Sequence, residues 1–565
     1  MATAERDDTN SGRSEESSGT SSWLPLAVVC LALGAEAYDA SSIPVAISAI
    51  VSDLNTDLST IQAALVLFSV ICAPLMLTAG TLGDLHGRRR ILRAGALLFG
   101  TGALIAALSP HVAAFFLGFS VIKALGAVLI VPTGAALLVA NYHGRRRAVA
   151  FSVLGAFLAG ATAATPMIMG TITTFIGWRF GYGLSVALAV LVLVLSGRLP
   201  ESDRKSGSID GFGAFLALLG LGSIMLGATA AGTYGWWEAR REFALVGVPI
   251  APFGLSVTPL LIAAGVILIV LFFSWGARQE RRGRLPIVRR RLFDNLRYTA
   301  GVAVGALQII GVAGLLFVVP VYLQSALGYD ALQTGLTLLP YTLALLAASL
   351  SSSILVRWFR PKHVIQFALV LMVIGLVLLS TTVHPGMTPT TLIAPLVVYG
   401  AAAGLAASLI PNVTLSAVDP SETGEASGAQ EAAGEVGSGF GAAVIGAVLI
   451  ASSWSGVVDG IAEKADWPLD QAERQRLAIQ LEDAEKTWAP RDERHFVAEL
   501  PAEVQASIED IVVHADTEAL KNSLQVILIV VLMALLGSVF LSGARAQAMP
   551  EEAGGSEGPA AGGGP

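Results

Sequence analysis

Polar residues gather at intervals along this chain, and between them lie unbroken apolar runs of about twenty residues or more. Fourteen can be placed, at 23–50, 59–82, 91–109, 112–140, 148–175, 180–199, 212–232, 258–276, 299–325, 331–356, 364–383, 390–418, 424–453 and 521–543. A bilayer core takes roughly 20 apolar residues per helix, whereas membrane-barrel strands would read as alternating segments of about ten. Only a helix satisfies every backbone polar group within a run this long. The pattern therefore predicts an all-α integral membrane protein with fourteen transmembrane helices. It leaves disordered tails at 1–22 and 544–565 and one long polar insertion, 454–520, between the last two runs.

Composition agrees: 54% of the 565 residues are hydrophobic and 14% are charged, against about 25% charged in soluble domains. The formal charge of −7 is local. Sixteen of the 42 acids lie in 454–520 with only six bases, leaving 29 bases and 26 acids elsewhere. No basic tail points to nucleic acid. Within the insertion, stretches beginning at Asp470 and Leu500 read as two amphipathic helices of a small external hairpin. A solvated loop is the favoured reading of it, with a binding domain as the alternative. Both cysteines, Cys30 and Cys72, sit in apolar runs, which excludes a disulfide framework and a Cys-rich metal site. Residues 1–22 have no basic region before the first run, so a cleaved secretory signal is not expected.

Orientation follows from basic residues, which short cytoplasmic loops retain. One set of loops carries Arg88–Arg90 and Arg93, Arg145–Arg147, Arg198, Arg204 and Lys205, the cluster from Arg278 to Arg297, and Arg357, Arg360 and Lys362. The opposite short loops carry Arg179, Arg240 and Arg241. Both termini are thus expected in the cytoplasm, with the insertion outside. Arg outnumbers Lys 29 to 6 and Ala and Gly abound, which suggests a high-GC bacterial gene and an inner-membrane location.

Between runs 2 and 3 the chain reads Gly80-Thr81-Leu82-Gly83-Asp84-Leu85-His86-Gly87-Arg88-Arg89-Arg90. This resembles the G-x-L-x-D-x-x-G-R-[RK] signature of the major facilitator superfamily. Ser208 to Gly213, Pro286 to Phe293 with Asn295, Pro320-Val321-Tyr322-Leu323-Gln324-Ser325-Ala326-Leu327-Gly328-Tyr329 and Gly424 to Gly428 are similar to its fourteen-helix drug:proton antiporter branch. The resemblance implies a six-helix half at 23–199, two extra helices and a linker at 200–298, and a second six-helix half at 299–543. The sequence departs from the family in run 4, where Ser120 takes the place of an Arg and Lys123 that of a Gln. In run 5 the antiporter motif keeps only Pro166 and Gly170. Gly80, Asp84, Gly87, Arg88, Arg89, Pro166 and Gly170 are accordingly the expected conformational-motif positions.

A charged side chain in a bilayer costs several kcal/mol, roughly 3 on insertion scales, so each one kept there is a functional candidate. The runs hold five: Glu36 and Asp39 in run 1, Lys123 in run 4, and Glu431 and Glu435 in run 13. Rise per residue places them at depths where all five could face one central cavity from both halves. A desolvated carboxyl favours its neutral form and holds a proton until a cation displaces it. The expectation is that Asp39, Glu431 and Glu435 exchange protons for cations while Lys123 pairs with Glu36. Glu422 and Glu425 read as ordinary helix N-terminal charges. Gln308, Gln324 and Asn412 read as interhelical hydrogen-bonding groups rather than substrate contacts. Gly301/Gly305, Gly400/Gly404 and Gly437/Gly441 read as helix-packing pairs. No Walker lysine, H-E-x-x-H or G-x-S-x-G motif supports ATP hydrolysis or hydrolase chemistry.

The function that follows is proton-coupled export of amphipathic, cationic compounds by alternating access, without enzymatic activity, cofactor or metal. The partners are a small substrate, protons and the bilayer, with the protein acting as a monomer. A lipid or endogenous-metabolite exporter of the same fold and a non-transporting sensor or scaffold stay open as alternatives.

Overall fold

Most polar breaks in the sequence become helix boundaries, and at several of them a short polar side chain caps the exposed backbone. In the computed structural model α1 spans Leu24–Asp53 and α2 Leu58–His86, where the Asp57 side chain accepts from Thr60 N–H. The chain continues as α3 (Arg88–Ala107), α4 (Val112–Asn141), α5 (Gly144–Phe175) and α6 (Trp178–Ser196). Next come α7 (Gly211–Tyr234) and α8 (Val257–Arg281), joined through a two-residue antiparallel pair, Ala244–Leu245 with Val248–Pro249. The remaining membrane helices are α9 (Leu296–Ser325), α10 (Ala331–Trp358), α11 (Pro361–Thr382), α12 (Ile393–Leu415), α13 (Thr423–Lys464) and α14 (Ile508–Gly537). All fourteen are long and apolar enough to cross a membrane. The structure describes residues 23–541 apart from 143, 200, 202–209, 238–243, 246–247, 250–253, 285, 420–421 and 486–500. The tails expected at 1–22 and 544–565 therefore lie outside the described residues.

Three boundaries differ from the sequence reading. The signature expected as a loop is largely helix: α2 runs on to His86, and the turn into α3 is the single residue Gly87, at φ +97°. Only glycine adopts that backbone without strain. At the other end of the chain, α13 continues to Lys464 and α14 begins at Ile508, both well inside the stretch read as an insertion. The first amphipathic stretch forms a separate helix, Gln471–Glu485. The second is not a separate helix: after a turn at Ala502–Gln505 it becomes the first turns of α14. The reason is packing, since Val457 and Ile461 of α13 bury against Val504 and Ala515, which holds both extensions together.

Helices in lipid gain little from burying apolar surface against one another, so small residues that allow close approach dominate their interfaces. The three glycine pairs do this. Gly301 and Gly305 meet Thr414 and Ile410 of α12, Gly400 and Gly404 meet Tyr341 and Leu345 of α10, and Gly437 and Gly441 meet Ala306 and Ile310 of α9. Gly102 of α3 is another such point: a Cβ there would stand 2.7 Å from the Lys123 Cα and 2.6 Å from the Gly118 carbonyl. Gly102→Val is expected to cost at least the 1–3 kcal/mol of ordinary overpacking, because backbone rather than a side chain blocks it. A thermal-stability comparison of the purified proteins checks this.

The helices alternate, so one end of the bundle collects the Arg-rich connections. At that end Arg88 donates to Ala136 O (2.7 Å), and Arg89 donates to Leu199 O (2.8 Å) and Gly197 O (2.7 Å). Glu201 adds an ion pair to Arg90 at 3.6 Å. Glu422 and Glu425 turn out to be more than helix-end charges: Arg289, before α9, bonds Glu425 at 2.8 Å and Glu422 at 3.2 Å. The Glu425 hydrogen bond raises the Arg289 proton affinity further above its ordinary value. The far end is closed. One buried apolar cluster there joins Ile43, Ile47 and Ile50 of α1 to Leu315, Val318 and Leu323 of α9. Pro166 and Gly170 of α5 press against Gly335 and Ala331 of α10, and Leu332 N–H donates to Thr174 (3.1 Å).

Candidate functional site

All five intramembrane ionisable residues lie around the middle of the bundle, in two groups. The first is an ion pair: Lys123 Nζ stands 2.6 Å from Asp39 Oδ2, with 0% and 5% of the side chains exposed. Its position depends on a helix irregularity. Residues Phe116–Lys123 of α4 are π-helical, a form that appears as single-turn bulges, frequently at functional sites. The bulge ends at Lys123, while Ser120, in the place of the family arginine, donates to Ala64 O of α2 at 2.8 Å. Aromatic rings enclose the ammonium: Phe119 and Tyr182 lie with centroids 4.7 Å away and Phe99 at 5.2 Å. Ser185 of α6 donates to Asp39 Oδ1 at 2.8 Å. The adjacent Tyr38 hydroxyl donates to Gly181 O at 3.3 Å. Together these groups tie α1, α4 and α6 into one unit.

This corrects the expected pairing. Lys123 binds Asp39 and not Glu36, because Asp39 points into the interface with α4 and α6 while Glu36, three residues earlier, is partly exposed. The sequence places both acids on a similar face, but their contacts separate them.

The second group is Glu36, Glu431 and Glu435. Protein lies around all three, yet Glu36 and Glu435 are partly exposed and Glu431 is exposed. They therefore face the space between the halves. Glu36 of α1 is within coulombic range of Glu435 and Glu431 of α13 and of Asp39 and Lys123. Ser69 of α2 lies 3.4 Å from Glu435. Carboxylates from both halves thus share one field, which suits a cation or protons. Among the described residues no group of three or more His, Cys, Asp or Glu has a metal-binding arrangement.

The conformational-motif residues sit apart from these carboxylates. Gly80 and Asp84 fall in the last turns of α2, and the Asp84 side chain lies outside the described ones. Gly87, Arg88 and Arg89 form the Arg-rich turn, and Pro166 and Gly170 the far-end seam with α10.

Three groups escaped the sequence reading. Ser185 and the rings of Phe99, Phe119 and Tyr182 carry no motif, and aromatic residues in apolar runs look like ordinary packing. Gln62 of α2, 5% exposed, is the third. An amide inside a membrane-length run was its available signal, since such a group needs a partner there.

Comparison with known proteins agrees with the fold. The family model described as Major Facilitator Superfamily matches residues 29–442. The "Probable actinorhodin transporter" of Streptomyces coelicolor is 26% identical over 480 residues, 81% of this chain and 79% of that protein. The "Multidrug efflux pump LfrA" of Mycolicibacterium smegmatis is 25% identical over 434 residues, 76% and 82% of the two chains. The "Quinolone resistance protein NorB" of Staphylococcus aureus is 26% identical over 400 residues, 70% and 81%. Among solved structures, a bacterial homolog of the human lysosomal transporter Spinster, in an inward-facing and unoccupied conformation, superposes with TM-score 0.56 at 12% identity. It covers 91% of this chain and 96% of its own. The D-xylose–proton symporter gives TM-score 0.53 at 14% identity, with 83% and 98% covered. Fourteen membrane-length helices and a family match over most of the sequence lead to one conclusion: the chain is a multi-pass membrane transporter belonging to the Major Facilitator Superfamily.

Proposed function

We propose that this chain is a secondary active transporter that exports amphipathic cationic drugs or toxic compounds in exchange for protons. The observation that carries the reading is the convergence of Glu36 from one half with Glu431 and Glu435 from the other on a shared space. Cation and proton compete there for the same carboxylates, and the halves rock about them. Asp39 and Lys123, enclosed and mutually paired, position the cavity face of α1. The names of the drug-efflux relatives support export of such compounds. In this reading the Arg-rich end and both termini face the cytoplasm of a bacterial inner membrane, since short cytoplasmic connections retain basic residues, and the far-end helical extensions of α13 and α14 are extracellular. Export of an endogenous metabolite is a second reading, favoured by similarity to the actinorhodin transporter.

Proton release from the detergent-purified protein in weak buffer tests the proposal. Adding tetraphenylphosphonium is expected to release about one proton per cation bound, while a neutral amphiphile of similar size releases none. Binding of the cation without any proton release would overturn exchange as the mechanism.

A further inference from the structure

Two glutamines at the far end each reach from one half of the transporter into the backbone of the other. Gln324, near the end of α9, donates from its amide nitrogen to Pro44 O (3.0 Å) and Val45 O (3.2 Å) of α1, and its amide oxygen accepts from Ser48 N–H (3.2 Å). Pro44 O and Ser48 N–H are the acceptor and donor of one i→i−4 rung of the α1 ladder. A single side chain therefore bridges a rung of a helix in the opposite half. Its oxygen faces the one donor and its nitrogen the two acceptors, which fixes the orientation of the amide.

Gln62 makes the reciprocal contact. It begins the second turn of α2, and its amide nitrogen donates to Ala442 O and, at 2.9 Å, to Ala443 O of α13. Those carbonyls lie in the π-helical segment Gly441–Ile445, where the irregular turn presents backbone oxygens sideways. Gly446 follows at once, and a Cβ there would stand 2.9 Å from Gln62 Cδ. The close approach needs a glycine. Both amides are almost fully buried, Gln62 at 5% and Gln324 at 9% exposed, within helices that otherwise offer few polar groups.

We infer that Gln324 and Gln62 are a paired latch that holds the far end shut, and that their withdrawal accompanies opening to that side. The inference rests on the alternating-access reading and adds the groups that time it. Its physical merit is reversibility. When Gln324 leaves, Pro44 O and Ser48 N–H bond one another along α1, so no backbone group is stranded. The carbonyls of α13 likewise retain helical donors. The amides themselves pass into the space opened between the halves, where water takes over their hydrogen bonds. Apolar packing alone gives a seam with no directional preference, whereas an amide that must meet two carbonyls and an N–H fixes one closed register.

Distance measurement between spin labels on the full-length protein in lipid nanodiscs tests the latch without reference to sidedness or substrate. Labels at Thr56→Cys, between α1 and α2, and Leu327→Cys, after α9, report the far-end gap; Cys30 and Cys72 are buried and stay unlabelled. Gln324→Met and Gln62→Met keep bulk and remove the amide. Each is expected to raise the long-distance, far-end-open population about five- to ten-fold, the effect of losing one or two net hydrogen bonds from one state only. If one variant fails to give monodisperse protein, the other carries the test. Parent-like distance distributions in a well-folded variant would overturn the latch while leaving proton exchange, tested separately above, standing.

Discussion

Lys123→Met is expected to destabilise the protein by about 3–5 kcal/mol, while the double variant Asp39→Asn, Lys123→Met recovers most of that loss. The ammonium is wholly enclosed, 2.6 Å from Asp39 and faced by three aromatic rings. Removing it leaves a carboxylate with one hydrogen bond, from Ser185, and no counter-charge. An uncompensated buried charge is the expensive outcome, whereas replacing both partners by groups of similar volume is often nearly neutral. Both side chains are almost wholly enclosed, at 0% and 5% exposure, so solvent does little to screen the charge left behind. Thermal unfolding of parent, both single variants and the double variant gives the coupling energy of the pair. A loss in the double variant equal to the sum of the two single losses would show that the two charges are not energetically linked. Transport by the double variant distinguishes positioning from chemistry: if Asp39 only holds α1 in place, exchange survives at a reduced rate.

The fold was legible because it is written in run length and in where arginines fall, both of which survive without knowledge of any contact. Fourteen runs became fourteen membrane-length helices. The candidate residues were legible for a related reason: a charge in a bilayer is costly enough to announce itself. What the sequence withheld was which charges meet. Glu36 and Asp39 stand three apart on one helix, and the sequence points to Glu36 as the partner of Lys123 where the structure has Asp39. The choice was made by a π-helical turn in α4 and by Ser185 on α6, and neither has a signature in local composition. The same holds for Gln62, whose partners are carbonyls exposed by a second π-helical segment 380 residues away. The helical reach of α13 and α14 beyond the apolar runs was hidden because helix propensity and membrane hydropathy part company there. Polar residues ended the runs, while packing of Val457 and Ile461 on Ala515 kept the helices going.

Glu36→Gln and Glu435→Gln are each expected to abolish cation-driven proton release and to weaken binding of tetraphenylphosphonium about ten- to hundred-fold. Two unit charges about 4 Å apart at an effective dielectric constant near 20 attract by about 4 kcal/mol, part of which offsets desolvation of the cation. Glutamine keeps the volume and hydrogen-bonding capacity but neither the charge nor the exchangeable proton, so packing is left nearly unchanged. The effect is expected in both variants because the carboxylates belong to opposite halves and lie within one field. A cation between them is held by both. Glu431, more exposed on the same face of α13, is better hydrated and should give a smaller loss. The comparison with the ion pair is decisive: the Glu variants should retain parent-like thermal stability while losing exchange, and Lys123→Met the reverse order of severity. Isothermal titration of the cation, with proton release read from buffers of different ionisation enthalpy, measures affinity and stoichiometry together. Unaltered release from both glutamine variants would remove these carboxylates from the proton path and return the role to Asp39.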